Sequence, residues 1–305
     1  MSTEYIHFTA VQKEAARQTD LVALLQSHGE RLKRSGKEYV WRDGSEKVTV
    51  RGNLWFHQYE RIGGDAVDFV RRFYNMDFPQ AVNFLLGNNG GALPQAEPVK
   101  QEPKKLFDLP PQNENMRRVY AYLLNRRGID REVLSAFVHK GMIYESADYH
   151  NAVFVGYDEH GIVRHAHKRG TGSESTYKGN AESCDPRYSF HWTGTDNTLY
   201  LFEAPIDMLS FISLHKENWR SHSYAAACCV GDQVLFQMLK ANPNIDTVCL
   251  CMDNDTAGQA ANKRISDKLF IQGIKHEVLI PSLKDWNEDL LYDEQEETEC
   301  QTLQL

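Results

Sequence analysis

The apolar positions keep a helical period over residues 9–27, then change to the short alternating runs of strands. Tyr39-Val40-Trp41, Val48-Thr49-Val50 and Leu54-Trp55-Phe56 read as strands, with Gly44 and Gly52-Asn53 supplying the turns. Gly63-Gly64-Asp65 opens a helix over 66–74, and 78–86 makes another. Periodicity stops at 88–111, where Asn-Asn-Gly-Gly precedes Pro94, Pro98, Pro103, Pro110 and Pro111 among Gln, Glu and Lys. Such a stretch buries little apolar surface and predicts a linker at a domain boundary. Beyond it, 114–127 and 130–138 read as helices broken at Gly128. Residues 152–157 and 162–168 read as a hairpin, and 170–194 as irregular. The last third alternates, with strands at 199–202, 224–230, 247–252 and 277–280 and helices at 207–215, 233–241 and 258–270. Continuous apolar strands separated by helices imply a parallel sheet covered on both faces. In such sheets the ligand site lies at the carboxyl ends of the strands.

Composition narrows the class. Hydrophobic residues are 41% and charged residues 25% of 305, the balance of a globular chain with room for two or three domains. No run approaches the ~18 consecutive apolar residues of a membrane span. Residues 1–10 hold no basic cluster and no apolar core, so no secretory signal is expected. All six cysteines (Cys184, Cys228, Cys229, Cys249, Cys251, Cys300) fall in the second half, mostly in apolar runs. That pattern fits free thiols in a reducing cytoplasm better than a disulfide framework. The Cys-Leu-Cys at 249–251 has the alternation of a buried strand, which we favour over a metal motif. The net charge of −8 is concentrated in residues 196–305, where 8 Lys/Arg face 18 Asp/Glu. An acidic domain binds DNA phosphates poorly but hosts a hard cation well.

Three strand ends carry candidate chemistry. Glu203 directly follows Leu-Tyr-Leu-Phe, Asp253-Asn254-Asp255 follows Cys-Leu-Cys-Met, and Lys284-Asp285-Trp286-Asn287 follows the fourth strand. In extended backbone Asp253 and Asp255 face the same side. Beside Glu203 they place three carboxylates around one point, with no basic neighbour in sequence. A Mg²⁺ or Mn²⁺ ion settles that charge and can bridge to phosphate oxygens in phosphoryl or nucleotidyl transfer. The alternative for Asp255 is a plain N-cap on the helix that follows.

The series LYLFEAPIDMLSF, AAACCVGDQ, CLCMDNDTAGQAANKR and PSLKDWNEDL resembles the TOPRIM domain of bacterial DnaG-type primases, topoisomerases and several nucleases. The resemblance covers about 198–290, with Ala204-Pro205 where the family usually has Gly after the glutamate. It implies Glu203 as general acid/base or metal-poising carboxylate and Asp253 and Asp255 as metal ligands. Asp207 and Asp285 match further acidic positions. Residues 21–82, including Gly63-Gly64-Asp65-Ala66-Val67-Asp68-Phe69, are similar in order to the primase zinc-ribbon module. Yet no Cys precedes Cys184, and His7, His28 and His57 cannot build a tetrahedral site. We expect no zinc there, and an aromatic cluster of Trp41, Trp55, Phe56 and Tyr59 in its place. The middle segment resembles the region before TOPRIM in primase-like proteins of mobile elements (the DUF3991/Toprim-like group). Its Arg164, Lys168, Arg169, Lys178 and Arg187 are candidates for contacts to nucleic-acid phosphates. His165 and His167 alternate on the hairpin and face either the site or solvent. Tyr177 and Trp192 either stack on bases or pack.

The expected fold class is α/β: a C-terminal TOPRIM domain (Rossmann-like, parallel sheet flanked by helices) preceded by an α+β region and a small zinc-ribbon-like β domain. The expected domains are 1–87, a linker at 88–111, 112–195, 196–292, and an acidic tail at 293–305. The expected function is metal-dependent nucleotidyl transfer on single-stranded DNA by a primase-like protein of a mobile element. Its partners would be single-stranded DNA, nucleotides, and replication or conjugation proteins of the element, with no membrane. The alternatives are a TOPRIM nuclease and a DNA-binding replication accessory without catalysis. A haloacid-dehalogenase-type phosphatase is disfavoured, because its Asp-x-Asp opens the fold and here two strands precede it. A topoisomerase is disfavoured too, since no strand-passage region is evident.

Overall fold

The computed structural model describes residues 8–43, 46–60, 62–87, 106–229 and 231–293. Most of the expected linker (88–105) and acidic tail (294–305) lies outside the described residues. The chain divides into two units, Met1–Pro103 and Lys104–Leu305.

The first unit begins with α1 (Ala10–Arg17) and α2 (Leu21–Ser27). The single helical period over 9–27 is thus two helices. Asp20 ends the run because its carboxylate accepts from Ala23 N at 2.9 Å and caps α2. An antiparallel sheet follows in the order of sequence: β1 (Leu32–Ser35), β2 (Glu38–Asp43), β3 (Glu46–Arg51), β4 (Leu54–His57) and β5 (Gly63–Gly64). Then come α3 (Ala66–Phe73) and α4 (Phe78–Leu85), opened by capping boxes at Asp65–Asp68 and Asp77–Gln80. Trp41 and Trp55 are buried against Phe69 and Phe73, with ring centroids 5.2–6.1 Å apart. Each indole N–H is satisfied, Trp41 by Glu30 Oε2 at 2.9 Å and Trp55 by Asp65 O at 3.1 Å. Strand alternation puts Phe56 on the opposite face from Trp55, only half-buried. The aromatic cluster therefore recruits Phe69 and Phe73 of α3, while Tyr59 lies at its margin beside His57.

The second unit starts with α5 (Arg117–Tyr120), which widens into a π-helical turn over Ala121–Arg126. There Arg127 N donates to Tyr122 O, five residues back, at 3.1 Å. After α6 (Arg131–His139) comes a four-stranded antiparallel sheet, β6 (Ile143–Glu145), β7 (Ala152–Tyr157), β8 (Val163–Arg169) and β9 (Lys178–Asn180). The last third supplies β10 (His191–Trp192), β11 (Thr198–Phe202), α7 (Pro205–Leu214), β12 (Ser223–Ala226), α8 (Gln233–Ala241), β13 (Thr247–Cys251), α9 (Thr256–Ile271) and β14 (Lys275–Val278). These strands form one sheet in the order β10-β12-β11-β13-β14. The last four are parallel, as the apolar runs imply, but β10 pairs antiparallel with β12, so the sheet is mixed. Its two residues sit within the segment read as irregular, too short to carry a period. One apolar cluster runs from Val119, Leu123 and Phe137 through Phe154 and Phe190 to Phe202, Leu209 and Trp286. The region before β11 and one face of the mixed sheet thus share a core. No described helix is long and apolar enough to cross a membrane.

An aromatic core needs no ion to hold it. Chelators are therefore expected to leave the urea unfolding transition of the first unit unmoved. Trp55→Ala should cost about 3–5 kcal/mol in urea unfolding of the first unit, and Phe56→Ala much less. A transition that drops on chelation would overturn this account of the unit.

Candidate active site

The mixed sheet delivers its acids by register. Phe202 pairs with Cys251, so the residues just beyond β11 and β13 emerge side by side. Glu203 is the first residue after β11 and Asp253 the second after β13. Asp207 lies in the first turn of α7, with Pro205 at the helix start, where a missing N–H costs nothing. The loop after β14 is tied to the Asp253 turn, because Asn254 N donates to Lys284 O at 2.8 Å. Trp286 Nε1 donates to Cys251 O at 3.0 Å. These bonds bring Asp285 to the same place. Gly258 lets α9 start against the Asp253 turn, since a Cβ there would collide with Asp253 O.

Glu203, Asp207, Asp253 and Asp285 line one pocket of about 180 Å³. Facing them are Arg127, Arg169, Lys178 and Lys284. Asp255 does not line it; its Oδ1 accepts from Ala257 N at 2.9 Å and Gly258 N at 2.8 Å as the N-cap of α9. Burial raises Asp253 to about 7, and Glu203, Asp285 and Asp255 push the same way. Asp207 is raised well above its ordinary value by burial and then by Asp253, Asp285 and Glu203. Burial also raises Glu203, against the pull of Lys178. A proton thus does what a cation would do more completely. Asp253 Oδ1 is buried and accepts no hydrogen bond. A hard cation fits this donor set: Glu203, Asp253 and Asp285 would hold it, with Asp207 behind them. Among the described residues, however, no three acids, histidines or cysteines already stand in ligand geometry.

The basic candidates separate. Arg169 and Lys178 line the pocket. Arg164 is engaged by Asp158 at 2.7 Å, and Arg187 by Asp185 at 2.6 Å. Lys168 points to the other face of its sheet. Residues outside the sequence-based candidates complete the site. Arg127 donates to Asn287 Oδ1 at 2.9 Å and, through Nε, to Tyr122 Oη at 3.0 Å. Arg169 Nε donates to the same phenol at 3.3 Å. Asn287, almost fully buried, returns a bond to Arg127 O at 2.7 Å. The π-helical turn that sets Tyr122 and Arg127 leaves no mark in the hydrophobic pattern. His167 is buried in the pocket wall and faces the site; burial lowers it to about 4, so it is neutral. Asn180 Nδ2 donates to Cys228 O, so its Oδ1 accepts from His167 Nδ1 at 2.7 Å. That tautomer leaves Nε2 as an acceptor.

A mixed α/β sheet with acids at the ends of adjacent parallel strands is the form of a Toprim-like domain, and residues 200–290 match the Toprim-like family. Residues 121–196 match a protein family of unknown function, DUF3991. The chain is 26% identical over 274 residues to the uncharacterized protein pXO2-78 of Bacillus anthracis, covering 85% of this chain and 79% of that one. Among solved structures it is similar to the Aquifex aeolicus primase (zinc-binding and RNA polymerase domains). That match has 17% identity and a TM-score of 0.39, over 96% of this chain and 84% of that one. It is also similar to the primase fragment of the bacteriophage T7 primase-helicase. There the identity is 20% and the TM-score 0.42, over 59% of this chain and 73% of that one.

Asp253 yields a prediction about stability. Its carboxyl ordinarily ionises at 3.8 but in the folded chain holds its proton to about 7. The folded state binds more protons between those values, so stability falls as pH rises through that window. In metal-free protein at pH 8, Asp253→Asn should raise the melting temperature, and at pH 4 the gap should close. An Asn variant that melts lower at pH 8 would contradict the assignment.

Proposed function

We propose that the protein is a primase-like enzyme that performs metal-dependent nucleotidyl transfer on single-stranded DNA. The observation that carries this reading is the pocket itself, four acids from the Toprim-like domain facing four cations. Phosphoryl chemistry needs both halves: anionic groups to seat a divalent cation, and cations to seat phosphate oxygens. Mg²⁺ or Mn²⁺, when bound by Glu203, Asp253 and Asp285, supplies charge neutralisation at the reacting phosphate. Arg127 and Arg169, braced by Tyr122 and Asn287, hold phosphate oxygens against that cluster. Lys178 and Lys284, both exposed, meet the strand backbone at the mouth. Asp255 acts by fixing the start of α9, and so the Asp253 turn, rather than by touching the cation.

Incubation with single-stranded DNA, labelled nucleotides and Mg²⁺ or Mn²⁺, read for both extension and degradation, tests this reading. Extension is expected, falling roughly 10²–10³-fold in Glu203→Gln and Asp253→Asn. Metal-dependent degradation without extension would assign the same carboxylates to a nuclease, and neither product would leave a binding accessory. The single-strand affinity should also fall with salt. Arg169→Ala and Lys178→Ala should each reduce the slope of log affinity against log salt by about 0.7. Arg164→Ala and Arg187→Ala, whose charges are engaged by Asp158 and Asp185, should change it much less.

A further inference from the structure

The sheet β6–β9 has a second face, and a cavity of about 630 Å³ opens there. Strand alternation separates it from the carboxylate pocket. Lys168 lines this cavity, whereas His167 and Arg169 line the other. The volume lies within the roughly 300–1,000 Å³ of small-molecule sites. Leu109, Pro110 and Ala181 give it an apolar wall. Arg118 and Lys168 bring two positive charges, and neither takes part in an ion pair among the described residues.

Two tyrosines stand with these cations. Lys168 Nζ lies 5.8 Å from the centre of the Tyr177 ring. Tyr149 is 88% exposed, although it lines the same cavity. Its backbone is left-handed at φ 61°, and that of His150 at φ 51°. Such conformations cost of order 1–3 kcal/mol each and persist only where the surroundings impose them. Here they do. His150 Nδ1 lies 2.7 Å from the buried Glu145 carboxylate, and Thr171 Oγ1 donates to His150 O at 2.8 Å. A strained, well-tied turn thus keeps a large aromatic ring in solvent, which burial of apolar surface does not explain.

We propose that this cavity binds a nucleotide unit, with its base against Tyr149 and Tyr177 and its phosphate on Arg118 and Lys168. Flat π-faces suit a base of any sequence. Unpaired guanidinium and ammonium groups suit a phosphate. Asp108 and Asp148, which also line the cavity, offer acceptors to the amino groups of a base. An apolar ligand would leave both cations without a partner. The unit comes either from a free mononucleotide or from one position of a single strand. The proposal goes beyond the carboxylate chemistry and does not rest on it.

The test is equilibrium dialysis of the full chain in EDTA, against labelled AMP and, separately, a labelled single-stranded tetradeoxyadenylate. Saturable binding of at least one probe is expected. It should weaken roughly tenfold or more in Tyr149→Ala and in Lys168→Ala, in line with the loss of a stacking ring or a phosphate contact. Tyr149→Phe, which keeps the ring, should bind nearly as the wild type. AMP binding assigns a free nucleotide; binding of the tetranucleotide alone assigns a strand. No saturable binding of either probe would overturn the proposal, as would binding that both alanine variants leave within twofold. Because Tyr149 is exposed, its substitutions should leave the fold intact, and unchanged thermal melting verifies that.

Discussion

Four carboxylates held around one small pocket are the constraint to which the rest of the second unit answers. Two unit charges at 4 Å repel by about 4 kcal/mol at an effective dielectric constant near 20. Glu203 and Asp253 cannot drift apart, because each is fixed by the pairing of β11 with β13. The fold meets the repulsion in two ways. Burial and neighbouring acids raise Asp207 well above its ordinary value and Asp253 to about 7, so both hold their protons more tightly. Four cations are also brought to the opposite wall. The buried, unbonded Oδ1 of Asp253 is what remains unanswered, and it is the atom a divalent cation would take.

The carboxylate side of this arrangement is legible in the chain because it is local. An apolar strand followed at once by Glu203, and another followed by Asp253, places both acids at strand ends by the logic of a parallel sheet. Asp285 is less local, yet it travels with Trp286, whose indole anchors the loop to Cys251 O. Asp255 shows the limit of that logic. Extended backbone would point it with Asp253, but α9 begins immediately and its open N–H groups take the side chain first. The two uses of an aspartate after a strand, ligand or cap, have the same sequence and are decided by where the helix starts.

The cationic side is not legible in the same way, for two reasons. First, a run such as Lys168-Arg169 sends its members to opposite faces of β8. A basic stretch read as one surface is therefore divided between two cavities. Second, a cation's meaning depends on whether a carboxylate already holds it. Arg164 and Arg187 are matched by Asp158 and Asp185, close in sequence, whereas among the described residues the Arg127 guanidinium bonds neutral partners, Asn287 and Tyr122. Its position depends on a π-helical turn and on a residue 160 positions away. The helical period of 114–127 predicts neither.

The two sides of the pocket come from different stretches of chain, and this fixes how they must be held. The acids stand on the mixed sheet and the loop after β14. Arg127, Arg169 and Lys178 stand on the π-helical turn and the antiparallel sheet before it. A polar pocket cannot hold such pieces in register by itself, because its charged members repel or attract according to what is bound. The register must come from apolar contact, and the cluster from Val119 through Phe154 to Phe202 and Trp286 supplies it. Asn287 joins the two at the pocket's edge. It bonds Arg127 on one side and Ser210 Oγ of α7 on the other, so the arginine is placed by the same helix that carries Asp207. Charge selects what the pocket can hold, and the shared core determines that both halves of the charge are there together.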